Sequence, residues 1–224
     1  NTLVKARTWD GSAWTTPLTK PPPAANLHWS GLTEAIFFVT PPEFAITEIM
    51  VAPREPAGGS ETNYTASDFE FIEMKNIGAS AASLLGFEFT DGVIFDPTHG
   101  NVTNVDIGDY VLVVNNLAAF TNRYSNWAAM NIAGEFTGDL DNNGESIALS
   151  STVASGERWR ITYDNRRGWP VAADGAGHSL VPLSDQPRLQ DYGGNWRCSA
   201  FIDGSPGAAD PVLPLSVVLN EFMA

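Results

Sequence analysis

The run Phe69-Glu70-Phe71-Ile72-Glu73-Met74-Lys75 restricts what this chain can fold into more than any other stretch. Side chains of an extended strand alternate with period two, so Glu70, Ile72 and Met74 share one side and Phe69, Phe71, Glu73 and Lys75 the other. Both sides carry large apolar groups at the start of the run, which predicts a strand covered on both faces there. Asn76 and Gly78 break it, because Asn tolerates left-handed backbone and Gly supplies it. Leu85, Phe87 and Phe89 then resume the alternation up to an Asp91-Gly92 turn. A strand, loop, strand unit of this kind belongs to an antiparallel sheet, and it sets the expectation of an all-β fold.

The rest of the chain follows the same grammar. Ile46 to Val51 reads as a strand, and Pro53 to Ser67, with Gly58-Gly59, as a surface loop. Val93-Ile94-Phe95 begins another strand, and Tyr110 to Val114 is a continuous apolar run of the kind buried on both faces. In Ala118 to Tyr124 the aromatic residues Phe120 and Tyr124 stand four apart, on one side of a helical turn. A helix so short survives by packing that pair onto a sheet, so it is expected to form a cap. Phe136 and Leu140, the turn Asp141-Asn142-Asn143-Gly144, then Ile147 and Leu149 read as a hairpin with a type I′ Asn-Gly turn. Arg158 to Tyr163 places Trp159, Ile161 and Tyr163 on a core face and Arg158, Arg160 and Thr162 on a wet one.

Several of these segments together resemble the lamin-tail domain, an immunoglobulin-like module of nuclear lamins that also occurs in many secreted or surface bacterial proteins. The resemblance rests on Glu70-Phe71-Ile72-Glu73-Met74-Lys75-Asn76-Ile77-Gly78 followed by Leu85-Gly86-Phe87. It continues in order through Ile46-Thr47-Glu48-Ile49-Met50 upstream, Ile107-Gly108-Asp109-Tyr110-Val111-Leu112-Val113-Val114 and Asn143-Gly144-Glu145-Ser146-Ile147-Ala148-Leu149. Trp169-Pro170, Ala173-Asp174-Gly175-Ala176-Gly177-His178-Ser179-Leu180, Asn195-Trp196-Arg197 and Gly204-Ser205-Pro206-Gly207-Ala208-Ala209 complete it. It implies an immunoglobulin-like two-sheet β-sandwich over residues 45–210 with a short helical cap, and attachment to protein, surface or polysaccharide.

Residues 1–40 are similar to the closing strands of a chitobiase-like or fibronectin-III-like module, with a Pro-rich insertion from Pro17 to Asn26 that cannot supply ladder hydrogen bonds. Those strands are expected to dock on the domain that follows. Leu219-Asn220-Glu221-Phe222-Met223 echoes Ile46-Thr47-Glu48-Ile49-Met50 just after the closing Gly-Ser-Pro-Gly-Ala-Ala. Residues 216–224 are therefore expected to open a second copy in a tandem array, and the whole to be a piece of a longer multidomain protein.

Composition narrows the partners. An apolar content of 43% over 224 residues is enough for a real core, while 26 acidic against 12 basic residues give a net charge of -14. Such a surface repels phosphate backbones, which argues against nucleic acid. The single Cys198 forms no intrachain disulfide, and no run approaches the ~18 apolar residues of a membrane span. The low lysine content with frequent Asn, Thr, Gly and Pro fits an extracellular or cell-surface location.

Candidate chemistry is sparse. Gly177-His178-Ser179-Leu180-Val181 approaches a nucleophile elbow but has Val181 where the second glycine belongs. His28, His99 and His178 lack zinc-ligand spacing. Glu48, Glu70 and Glu73 invite comparison with a glycosidase carboxylate pair, yet their expected roles are solvent exposure or hydrogen bonds to loop amides at the rim. Trp127, Trp159, Trp169 and Trp196 offer stacking surfaces for sugars but are expected in the core. Asp139, Asp141 and Asn143 start a calcium-loop pattern whose twelfth position is Ser150 instead of Glu. A plain hairpin is therefore the expected state, and any calcium bound there would be held at about 10⁻⁴ to 10⁻³ M. The expectation is a non-catalytic binding or spacer module without a required cofactor. The alternatives are a hydrolase using the rim carboxylates, which would need a deep cleft where they converge or a bound metal, or a structural assembly subunit.

Overall fold

Among the described residues, strands form where the sequence alternates and one short α-helix where an aromatic pair stands four apart. The computed structural model describes residues 2–6, 33–37, 42–95, 97, 102–151, 156–166, 168–187, 190 and 192–213. In chain order they form β1 (Thr2–Ala6), β2 (Thr33–Phe37), β3 (Phe44–Met50), β4 (Phe71–Asn76), β5 (Ala82–Ser83), β6 (Phe87–Asp91), β7 (Asn104–Val105) and β8 (Tyr110–Val114). Then come α1 (Leu117–Arg123), β9 (Ile132–Glu135), β10 (Ser146–Ser151), β11 (Gly156–Thr162), β12 (Leu180–Pro182) and β13 (Trp196–Cys198).

Among the described residues the architecture is mostly β, with four sheets, none closed into a barrel. The largest has six strands in the order β13-β12-β3-β4-β8-β9, and a three-stranded sheet runs β11-β10-β6. Every pairing is antiparallel except β8 with β9. A parallel pair needs a crossover connection, and α1 lies in the one that joins these two strands. The helix is capped by Asn116, whose side-chain oxygen accepts from the Ala119 amide at 3.0 Å, and Glu135 accepts from the Leu117 amide at 2.7 Å.

The inner faces of the two large sheets share one core. Ile46, Ile49, Ile72, Met74, Val111, Val113 and Leu180 of the first meet Phe89, Ile147, Leu149, Trp159 and Ile161 of the second. Trp159 stacks edge-on against Phe89 with centroids 6.1 Å apart. The alternation of β11 places Trp159, Ile161 and Tyr163 inside, as expected. A smaller cluster lies on the opposite side of the six-stranded sheet, where α1 sets Phe120 and Tyr124 against Phe71, 5.9 and 6.0 Å away.

Three expectations need correction. The Asp141–Gly144 turn exists, closed by the Gly144 amide on the Asp141 carbonyl at 2.9 Å, but it joins no hairpin. The chain leaves β9 in one sheet and enters β10 in the other, and β10 pairs with β11 and β6. The turn is not type I′ either, since Gly144 has φ of 106° but Asn143 lacks the positive φ that type requires. Val93-Ile94-Phe95 makes only isolated bridges, Phe89 to Phe95 and Ile94 to Thr137. Finally, β1 and β2 find their ladder partners in each other, over the register Thr2↔Phe37 to Ala6↔Thr33, and not in the sheets that follow. The Pro-rich insertion, His28, His99 and the echo at 216–224 lie outside the described residues.

Candidate functional site

The outer face of the six-stranded sheet is apolar under α1 and acidic beside it, for reasons set by strand register. On β4, Phe71 and Glu73 point outward when Ile72 and Met74 point to the core. On β3, a bulge between Ile46 and Glu48 shifts the register and sets Glu48 directly opposite Glu73. Both carboxylates are buried, each with 1% of the residue exposed.

Residues 203–210 cross this face and are held by those acids. Glu73 accepts from the Thr47 hydroxyl and from the Gly207 amide, both at 2.6 Å. Glu48 accepts from the Ser179 hydroxyl and, at 3.0 and 3.2 Å, from the Ser205 amide. Backbone comes this close only because Gly204 has no side chain: a Cβ there would lie 1.9 Å from Glu48 Oε1, on backbone with φ of +75°. At one end Tyr124 donates to the Asp203 carbonyl at 2.7 Å. At the other, Asp210 is ion-paired with Arg197 and accepts from the Ala200 amide and, at 2.7 Å, from the Ser205 hydroxyl. Burial raises both glutamates, Glu48 to about 7 and Glu73 to about 8, and the Glu48 charge pushes Glu73 further in the same direction. Of the two expected roles, hydrogen bonding to loop amides is what these residues do, and solvent exposure is not.

Beside this segment the sheet carries a groove of about 380 Å³. Thr47, Glu73, Lys75, Tyr110, Val181 and Arg197 come from the strands, Leu183, Ser184 and Asp185 from the loop after β12, and Ala208 to Asp210 from the crossing segment. Lys75 lies 5.5 Å from the Tyr110 ring centroid and 3.4 Å from Asp185, an ion pair that faces solvent. Leu183 is exposed. The groove thus combines one aromatic ring, an apolar ledge, two cations and hydrogen-bonding groups. A second concavity beside Val51, Tyr163 and Asp174 holds about 10 Å³, barely one water.

The other candidates are dispersed. Ser179 is fully buried and donates to Glu48, while the adjacent His178 turns its Nδ1 to Ser199, 2.9 Å from the carbonyl and 3.4 Å from the hydroxyl, so Ser179 and His178 do not pair. The calcium-loop residues face different partners: Asp139 accepts from Asn115 at 3.1 Å, and Asp141 from the Asn143 amide at 2.8 Å and its side chain at 3.1 Å. Glu145 accepts from the Asp141 amide, and no group of three or more His, Cys, Asp or Glu able to hold a metal occurs among the described residues. Nearby Glu70 accepts from the Leu140 amide at 2.8 Å, and burial raises it to about 8, helped by Asp139 and Glu145. Trp159, Trp169 and Trp196 are in the core, whereas Trp127 is 43% exposed.

Arg123, Glu61, Arg54 and Asp203 form an ionic cluster that the sequence did not announce. Arg123 binds both oxygens of Glu61 at 3.1 Å, and Arg54 reaches Glu61 and Asp203. These residues come from three distant loops or helix ends, and no local spacing marks them. The facing of Glu48 and Glu73 was equally hidden, because 20 residues separate β3 from β4 and the bulge shifts the phase.

No protein-family model, curated protein or solved structure matches the chain. No helix among the described residues is long and apolar enough to cross a membrane.

Proposed function

We propose that this chain carries a lamin-tail-type module, an immunoglobulin-like two-sheet β-sandwich over residues 45–210. It serves as a non-catalytic binding or spacer unit of a larger extracellular bacterial protein. The sandwich reading is supported by the single core shared between the six-stranded and three-stranded sheets. The binding reading is carried by the groove of about 380 Å³, whose open polar wall and Tyr110 ring suit a segment of polysaccharide or protein. Attachment of this kind draws on a few anchoring contacts, with Tyr110 and Leu183 the natural ones.

The hydrolase alternative has a raised carboxyl at the groove floor in its favour, Glu73. Against it, all four oxygens of Glu48 and Glu73 are engaged by hydroxyls and amides and both residues are buried, which suits holding a loop better than attacking a bond. A glycan array and a pull-down from bacterial surface extracts test the proposal. A ligand retained by the parent should be lost by about tenfold or more in Tyr110→Ala, the scale of an anchoring residue. Ligands bound equally well by the variant would remove the groove from the reading, and turnover of a glycan abolished by Glu73→Gln would replace it with the hydrolase.

A further inference from the structure

The middle of the segment that walls the groove is bonded to the sheet through Glu48 and Glu73, alongside the buried Pro206 and the packing of Gly207 on Met130. The ends of the segment are pinned, by Tyr124 on the Asp203 carbonyl and by Arg197 on Asp210, while the stretch between them rests on amide bonds from Ser205 and Gly207 to the two carboxylates. We propose that residues 204–209 are a pH-sensitive gate on the groove, seated while Glu48 and Glu73 retain a proton between them and lifted when both are ionised. The proposal rests on the groove being the binding site, because opening the gate removes the wall formed by Ala208 and Ala209.

Glu48 and Glu73 are cross-strand partners, and directly opposed side chains on neighbouring strands start from Cβ atoms only about 4.5–5.5 Å apart. Two negative charges there, out of water, repel strongly. The hydrogen bonds donated to the pair and the Arg197 charge offset part of the cost, yet burial outweighs them at both groups. The carboxylate oxygens already accept from Thr47, Ser179, Ser205 and Gly207. Arg197 of β13, whose charge favours ionised Glu48, is shared with Asp210 and with the Cys198 carbonyl. Asp210 itself adds repulsion to both glutamates. Of the remaining groups around the pair, Lys75 is tied to Asp185 and Tyr110 on the groove side. Tyr124 and Asp203 bond each other beyond Gly204, and His178 turns to Ser199. Water is the remaining source of solvation, and while the segment is seated it barely reaches either acid, each residue being 1% exposed with Gly204 crowding Glu48. Burial keeps both acids protonated to unusually high pH, which places the opening just above neutrality.

Amide hydrogen exchange on the whole chain reads the gate without any ligand. Corrected for the intrinsic base-catalysed rate, protection of the Ser205 and Gly207 amides should fall about tenfold or more between about pH 6 and about pH 9, with Val111 and Val113 of β8 as controls. In Glu73→Gln, whose amide oxygen can still accept from Gly207, the fall should vanish, and Glu48→Gln gives the same reading should the first variant fold poorly. Protection of Ser205 and Gly207 that is independent of pH in the parent, or that falls equally in the variants, overturns the gate. Absence of any ligand on the glycan array or in the pull-down overturns the binding reading instead, so the two failures are distinguishable.

Discussion

Arg123 lies 3.3 Å from the centroid of the Phe69 ring with 2% of its side chain exposed, and its fork spans both oxygens of Glu61. Guanidinium planes stack and chelate carboxylates in a way an ammonium cannot, so the position is specific to arginine. Its hydrogen bonds, above all others, lower Glu61 to about 2. A carboxyl whose folded pKa lies below its unfolded value contributes stability that is fully present above the unfolded pKa. That contribution is lost as pH falls through the folded one. Replacing Arg123 with Met keeps much of the contact with Phe69 but leaves Glu61 to Arg54 and the Ala57 amide. The expected cost is about 3 kcal/mol at neutral pH by urea denaturation, typical of a buried pair deprived of one partner. The acid limb of the stability curve should flatten in the same variant. A change within about 0.5 kcal/mol would mean that Arg54 and the Ala57 amide suffice for Glu61.

At seven residues the helix α1 is too short to persist on its own hydrogen bonds, and what holds it is a cap at one end and an aromatic pair along its side. Asn116 supplies the cap, and its own amide donates to Asp68 at 3.0 Å, tying the helix start to the turn before β4. Asn116→Ala should therefore destabilise the fold by about 1 kcal/mol in thermal or urea unfolding. Equal stability of parent and Asn116→Ala would show that Glu135 on the Leu117 amide suffices as a cap. This helix was legible because Phe120 and Tyr124 mark one face, and the strands were legible because burial of one face imposes alternation on residues such as Trp159, Ile161 and Tyr163. The destination of the Asp141–Gly144 turn was not. A turn's residues encode its local backbone, whereas the partner of β10 is chosen by the core that Ile147 and Leu149 enter, which lies between sheets built from the whole chain. The groove was invisible for the same reason, since Lys75, Tyr110, Asp185 and Arg197 are brought together only by the order of strands in one sheet.

At the scale of the molecule, ionisation works against the fold more than for it. Three buried glutamates, Glu48, Glu70 and Glu73, are raised from 4.5 to about 7, about 8 and about 8, in each case first by burial. In the unfolded chain these groups release their protons near the ordinary value, while the folded protein keeps them. Between about pH 4.5 and about pH 8 the native state thus binds more protons than the unfolded one, and linkage requires stability to fall as pH rises. Glu61, lowered to about 2, acts in the opposite sense, but only below its unfolded value. The net charge of -14 at pH 7 adds self-repulsion that grows over the same range as the remaining acids ionise. The stability maximum should therefore fall in mildly acidic solution, near pH 5, and not at neutrality. One pKa unit on a single group is ~1.4 kcal/mol, and a chain of this size changes its Tm by roughly 2–4 °C for each kcal/mol. Tm measured by calorimetry is thus expected to be at least about 3 °C higher at pH 5 than at pH 8, with the gap narrowed in Glu70→Gln, which keeps an acceptor for the Leu140 amide and removes one of the three titrations. A Tm that stays level or rises from pH 5 to pH 8 would mean that these glutamates are solvated in the folded protein, and would count against the buried arrangement of Glu48 and Glu73 under the crossing segment.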